Sequence, residues 1–398
     1  MGEKKKILHI TGVLPLPQFF ETEFKEKDND YLFEVSDELE TRGYQFSYIR
    51  TCVYSNCLLA KLKPKWKIYS KVPRVYEAKG HMVRAMFNLT LPGAFGLPLT
   101  SRLSLARYRS DLKQYKDFSL IHAQYIYPAG LYAYYLHQIY NIPYVLTLRR
   151  ADLQSIESPF TRGTTKKILQ NAAYITCPSF SHGKLLEEKS GYTVHPVSHG
   201  IRESFLFSSV DVNKVPVINV VARLYGWKRI DLLLDALADV KGKYTLNIIG
   251  DGECMDDLKR QAEKNSIPCD FKGFISNTET IDYLKRGDIF VLPSGEETLG
   301  RAYLEALATS NAVIGVKNSG VWGYVDETAM LFMEKDSVES LRTILQSLLD
   351  NHEQIASYKK KGYESVANGF TWKAIADEYE KSYEQAMMKE GEEFISHE

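Results

Sequence analysis

With 398 residues the chain exceeds the roughly 250–300 residues at which a single hydrophobic core stops growing, so two domains are expected. A composition of 44% apolar and 25% charged residues excludes a disordered chain, and no apolar run reaches the length of a membrane-spanning helix. Five cysteines without CxxC spacing (Cys52, Cys57, Cys177, Cys254, Cys269) argue against a disulfide framework and a zinc site, and a cytoplasmic setting is expected.

The opening MGEKKKILHITGVLP is basic and then apolar, the outline of a signal peptide. Its apolar part is short, breaks at Pro15 and lacks a small-residue cleavage site, so it reads as a first strand over 7–11. Asp28-Asn29-Asp30 spells a D-x-D such as metal-dependent sugar transferases use; it sits in a charged loop before a helix, and no metal site is assigned to it. Strand patterns follow at 46–53, 119–124, 144–148 and 174–179, separated by helical periods in YLFEVSDELETRG and AGLYAYYLHQIY. This alternation implies a parallel sheet with helices on both faces. His122 closes the third of these strands in a cleft position, although a lone histidine is more often a bonded structural residue.

Net charge is zero, yet residues 61–116 hold 13 Lys and Arg against two acids, Glu77 and Asp111, a local net charge of +11. Seven aromatic residues are interleaved with these charges. A solvated face is the bland reading. A surface for anionic lipid is the functional one, and no recognised nucleic-acid motif supports a third.

The pattern restarts after SSVDVNKVP. Strands at 217–222, 244–250, 269–274, 289–294 and 312–316 alternate with helical runs, and 201–216 reads as a linker. Two doubly wound domains in tandem follow, expected to face each other across one cleft, since ligands bind beyond the carboxyl ends of such strands. The tail from Thr371 is a long amphipathic helix, with a frayed end from Gly391.

The chain lacks G-x-G-x-x-G after its first strand, and also the P-loop, HExxH and GxSxG patterns. What it carries instead sits at strand ends of the second half. RLYGWKR places Arg223 and Lys228 five residues apart, where both reach one phosphate group if the loop folds over it. LPSGEETLGRAYLEAL starts a helix near Leu299, whose N-terminal amides favour negative charge. Glu297 and Glu305 would repel a phosphate and so suit sugar hydroxyls, which a carboxylate accepts two at a time. Eight residues of helix rise by about 12 Å, enough for the two acids to hold opposite ends of one ligand with a diphosphate between them.

LPSGEETLGRAYLEALAT resembles the E-x7-E motif of retaining glycosyltransferases of family 4, which have the GT-B fold, an α/β architecture of two facing Rossmann-like domains. The likeness extends through IHAQYIYPAGLYAYYL, IPYVLTLRRAD, CPS, SHGI, VARLYGWKRIDLLLDAL, IIGDGE and FKGFI. It implies an acceptor domain over 1–205, a donor domain over 206–370 and a C-terminal helix at about 371–390 that packs back on the first domain. Arg223 and Lys228 would bind the diphosphate, Glu297 the sugar, Glu305 the ribose, and the amides of Thr298, Leu299 and Gly300 would complete the phosphate site. Gly273, Phe274 and Ile275 resemble the base-binding loop. No metal or other cofactor is implied. Where many relatives carry histidine this chain has Arg149, which stays charged and would act electrostatically, unless it merely pairs with Asp152. His199 replaces the more usual asparagine before Gly200, and Asp152 joins it as a cleft candidate.

The resulting expectation is a retaining glycosyltransferase moving a hexose or N-acetylhexosamine from a nucleotide-diphosphate sugar to a glycan acceptor. A lipid-linked acceptor, with the enzyme on the inner face of the cell membrane, would account for the basic segment. The competing expectation is an inactive nucleotide-sugar-binding protein, a sensor or scaffold, suggested by the altered Arg149 position.

Overall fold

The computed structural model describes residues 4–17, 31–54, 68–89 and 97–395. The D-x-D at 28–30 and the basic stretch 61–67 lie outside them. The chain divides into two compact units, the first comprising Met1–Pro178, Gly183–Val197 and Ile375–Glu398, the second Ser179–His182 and Ser198–Ala374.

The first unit is built on β1 (Lys5–Thr11), β2 (Tyr44–Val53), β3 (Val75–Ala78), β4 (His81–Asn88), β5 (Leu120–Gln124), β6 (Tyr144–Thr147), β7 (Tyr174–Cys177) and β8 (His195–Pro196). Their spatial order is β3-β4-β2-β1-β5-β6-β7-β8. All neighbours run parallel except β3, which pairs antiparallel with β4. Helices α1 (Tyr31–Glu40), α2 (Leu97–Leu112) and α3 (Leu131–Tyr140) supply much of the covering. Strand alternation sends Leu8, Ile10, Ile121 and Ala123 into one apolar cluster with Leu105 and Leu112 of α2 and Leu136 of α3. The residues between them, His9, His122 and Gln124, therefore belong to the opposite face, and all three are buried there.

The second unit holds β9 (Val217–Val221), β10 (Thr245–Ile249), β11 (Cys269–Gly273), β12 (Ile289–Val291), β13 (Ala312–Val316) and β14 (Leu331–Met333). They form one wholly parallel sheet in the order β11-β10-β9-β12-β13-β14. Its helices include α4 (Ile230–Leu237), α5 (Arg301–Ala308), α6 (Val338–Asp350) and α7 (His352–Gly369). The stretch 201–216, expected as a linker, is instead packed along this unit. Ile201 donates to the Phe370 carbonyl at 2.8 Å and Phe207 to that of Ala308 at 2.9 Å. Asn213 reaches the buried Asp288, whose carboxylate also takes the Val217 amide and the Lys359 ammonium. Such a buried ion pair persists only because its remaining valences are met by hydrogen bonds.

The last helix, α8 (Trp372–Ile395), continues beyond the expected end near 390 and belongs to the first unit from Ile375 onward. Tyr379, Tyr383 and Ala386 are buried there. Arg42 bonds Asp377 and Glu380 at 2.6 and 3.0 Å, fastening the turn after α1 to this helix.

Candidate active site

In the second unit the site is assembled from three strand ends. β9 runs into a loop that turns through Gly226–Lys228 and resumes as α4 after Arg229, which sits in the left-handed region at φ 55°. This loop is pressed against the turn that follows β10. A Cβ on Gly250 would lie 1.7 Å from the Ala222 carbonyl oxygen, so any other residue there would displace the Arg223 loop. The amides of Ala222 and Leu224 bond the carbonyls of Ile249 and Asp251, both at 3.0 Å. Gly250 in turn donates to the Gly273 carbonyl at 2.8 Å, linking in the Gly273–Ile275 turn, where Phe274 is exposed.

The loop after β12 carries Glu297. Its amide donates to Ser319 Oγ at 3.1 Å, Ser319 Oγ donates to the Ser294 carbonyl at 3.1 Å, and Gly320 donates to the Glu297 carbonyl at 3.0 Å. Ser294 Oγ crosses to the Trp227 carbonyl at 3.2 Å, binding this loop to the first. The consequence is an ion pair between Lys228 Nζ and Glu297 Oε1, with Lys228 8% and Glu297 7% exposed. The Lys228 ammonium also lies 4.1 Å from the centre of the Trp227 ring, a cation–π contact.

Helix α5 begins at Arg301, two residues later than expected. Gly300 at φ 71° interrupts the helical path, and Tyr303 crowds the position where a Cβ would stand. Among the described residues, the amides of Thr298, Leu299 and Gly300 donate to no protein acceptor, so three N–H groups stand at the start of the helix. Glu305 lies one turn inside α5, partly exposed, with Arg301 3.6 Å away. Arg223 is exposed on its loop. Lys228 and Glu297 are thus brought into contact, Arg223 stands on the loop that also carries Lys228, and Glu305 lies in the helix that follows the Glu297 loop.

In the first unit, Arg149 follows β6 and directs its guanidinium to the Tyr31 hydroxyl at 2.5 Å and Gln124 Oε1 at 3.1 Å. The Tyr31 hydroxyl donates to the same Gln124 oxygen. Asp152 does not pair with this guanidinium. Its two oxygens accept the backbone amides of Ile126 and Arg149, each at 2.9 Å, and burial pushes its carboxyl up to about 6 despite them.

His122 takes the bonded structural role that a lone histidine more often has. Nδ1 meets the Tyr383 hydroxyl at 2.8 Å and Nε2 meets Thr147 Oγ1 at 2.7 Å, so both ring nitrogens are spent on protein. Burial, aided by the field of Arg149, brings its pKa down to about 3 and keeps it neutral. His199 falls in the second unit, buried beside Gly200, which packs against the Trp372 ring. Sequence reasoning missed Gln124, Tyr31, Trp227 and Ser319. Gln124 could have been flagged as the last polar residue of β5, and Trp227 by its place between Arg223 and Lys228.

Two family models match the chain in tandem, Glycosyltransferase Family 4 over residues 29–205 and Glycosyl transferases group 1 over residues 202–365. The chain is 25% identical over 367 residues to TuaC of Bacillus subtilis (strain 168), named for teichuronic acid biosynthesis, covering 88% of this chain and 90% of that protein. In fold it is similar to sucrose-phosphate synthase from Thermosynechococcus elongatus, with a TM-score of 0.74 at 19% identity over 97% of this chain and 100% of the other. It is also similar to Anabaena HepE in complex with UDP and glucose, with a TM-score of 0.65 at 15% identity over 95% and 99% of the two chains. The chain thus belongs to the glycosyltransferases of the GT-B fold, family 4-like in its first half and of group 1 in its second.

Proposed function

We propose that the protein is a retaining, metal-independent glycosyltransferase that moves a hexose or N-acetylhexosamine from a nucleotide-diphosphate sugar to a glycan acceptor. The observation that carries this reading is the buried Lys228–Glu297 pair beside three unbonded amides at the start of α5. A diphosphate would draw Lys228 and those amides, and the released Glu297 carboxylate would then accept sugar hydroxyls. Arg223 would join Lys228 on the diphosphate, Glu305 would hold the ribose, and the Gly273–Ile275 turn the base. Fixed cations and a helix N-terminus can stabilise a leaving diphosphate where other transferases use a metal. The UDP and glucose bound to HepE support a nucleotide-sugar donor, and the name of TuaC supports a glycan product.

A thermal-shift panel of nucleoside diphosphates and their sugars tests the donor. A bound ligand at about 100 times its Kd adds about 2.7 kcal/mol. Slow release of free sugar from that donor, abolished by Glu297→Ala, is the expected result and distinguishes a transferase from an inactive binder. Unchanged donor affinity in a chain carrying both Arg223→Ala and Lys228→Ala would overturn the diphosphate assignment.

The acceptor is proposed to be lipid-linked, in cell-surface polysaccharide assembly at the inner face of the membrane. Helix α2 supports this through its outer face. Thr100, Ser101 and Ser104 face inward, while Leu99 and Leu103 are 60% and 54% exposed beside the exposed Arg102, Arg107 and Arg109. Apolar side chains ringed by arginine suit an anionic bilayer surface. No helix among the described residues is long and apolar enough to cross a membrane. Flotation should therefore show binding to vesicles containing phosphatidylglycerol and not to phosphatidylcholine alone. Arg102→Glu with Arg107→Glu should weaken it by about ten-fold or more, at about 1 kcal/mol per charge. Equal absence of binding to both vesicles removes the membrane clause.

A further inference from the structure

Arg149 acts on Asp152 through its field and does not bond its carboxylate. Among the described residues no carboxylate lies within ion-pair distance of its guanidinium, and Asp152 is held by backbone amides instead. Neutral partners fix the group in place. The Tyr31 hydroxyl and Gln124 Oε1 bond one nitrogen, and the Tyr31 and Tyr125 rings lie 5.5 and 5.6 Å from its central carbon. Two donors at this point are unmet, Nε of Arg149 and Nε2 of Gln124, the latter on a side chain only 1% exposed. The assignment of the Gln124 amide is settled by its neighbours, since both Tyr31 and Arg149 donate to its oxygen. The outer nitrogen, Nη1, has no protein partner among the described residues.

Placement adds a second argument. Gln124 ends β5, Arg149 follows β6 and Tyr31 opens α1, so all three stand at the carboxyl edge of a parallel sheet, where ligands of such folds bind. A positively charged fork with unspent donors, oriented by groups that cannot neutralise it, is complementary to a planar or tetrahedral oxyanion. A neutral sugar hydroxyl would leave the guanidinium without a bonded counter-charge.

We propose that Arg149, oriented by Tyr31 and Gln124, binds an anionic group of the substrate, a carboxylate or a phosphate, in the first unit. The proposal rests on the glycosyltransferase reading for the identity of the substrate, and not for the site itself. The anion has two sources: a carboxylate on the donor sugar, or a phosphate on the acceptor.

The test uses the full chain and two pairs of probes in calorimetric titration, UDP-glucuronate against UDP-glucose and geranyl phosphate against geraniol. In one pair the charged member should bind about ten-fold tighter than its neutral twin, the expected scale of a charged hydrogen bond. Arg149→Gln should reduce that ratio to about two-fold or less while UDP alone binds as before. Preference within the nucleotide pair places the anion on the donor, and preference within the isoprenyl pair places it on the acceptor. No preference in either pair, or one that survives Arg149→Gln, overturns the proposal. Should Arg149→Gln fail to fold, Tyr31→Phe loosens the guanidinium and should lower the ratio by about three-fold; an unchanged ratio again overturns it. Failure of UDP itself to bind would exclude a uridine donor, while the isoprenyl pair would still report on Arg149.

Discussion

Lys228→Met is expected to cost the protein about 3–5 kcal/mol in the absence of any donor, because it strands the Glu297 carboxylate in the interior. Neither partner has an alternative. Glu297 is 7% exposed, and Ser319, Gly320 and Ser294 hold the backbone of its loop in place, so its carboxylate stays largely out of water. Lys228 is pinned from the other side, because Ser294 ties its loop and the Trp227 ring flanks its ammonium. Pairing Lys228→Met with Glu297→Gln removes both charges and should return stability to within about 1 kcal/mol of the natural chain. Transfer should not return with it. The double variant lacks a cation for the leaving group and is expected to turn over about 10²–10³ times more slowly. Urea unfolding of the four chains of this cycle, set beside donor turnover, separates the structural cost from the catalytic one. A single variant no weaker than an ordinary surface substitution, within about 0.5 kcal/mol, would show that the pair is not a buried one.

Acidification should weaken the first unit through His122. The fold keeps this imidazole neutral down to about pH 3, whereas the unfolded chain takes up its proton near the ordinary value of about 6.5. Between those limits the unfolded state binds the extra proton, so stability falls as pH falls. From about pH 7 to about pH 5 the loss attributable to this one group is about 2 kcal/mol. His9 works in the same direction, its pKa lowered by burial and then by His122, 4.9 Å away ring to ring. Asp152 works against them. Its carboxyl, raised to about 6, is protonated first in the folded chain and offsets about 1 kcal/mol over the same interval. Unfolding midpoints at the two pH values should show a net loss, and His122→Gln should flatten the dependence. A profile unchanged by that substitution would mean that the imidazole is not held neutral. The Tyr383 hydroxyl is the partner that matters here. Tyr383→Phe leaves His122 Nδ1 unbonded at about 1–3 kcal/mol, and Tyr383→Ala adds about 3–5 kcal/mol for the loss of a fully buried ring.

The architecture was legible wherever strands are buried on both faces and so read as short, mostly apolar, β-branched runs. ILHIT, YVLTL, VINVVA and AVIGV fall on β1, β6, β9 and β13. The β3–β4 hairpin was not seen, because one of its faces carries Val75, Glu77 and Met82 into solvent and its turn is Lys79-Gly80, not the Asn-Gly or Asp-Gly that marks such a hairpin. The pairing of residues across the site was legible only in part. Spacing showed that Arg223 and Lys228 share a loop, but which of them turns inward depends on Gly250, Ser294 and Trp227, contributed by other segments. The bonded role of His122 was the commoner expectation, but its partners were not legible. Its strand end pointed to a cleft, and only the return of α8 from the far end of the chain shows what its ring bonds. Arg149 and Asp152 lie three residues apart and suggested an ion pair, yet the backbone amides reach the carboxylate first.

That return of α8 sets the order of events during synthesis. The ribosome delivers β1 through β8 long before Tyr379 and Tyr383, so His122 must wait without its partners on the last helix while the whole second unit is made. The half of the protein translated first is therefore the half completed last, and an arrest between residues 374 and 383 would leave the second unit whole and the first without the Tyr383 partner of His122.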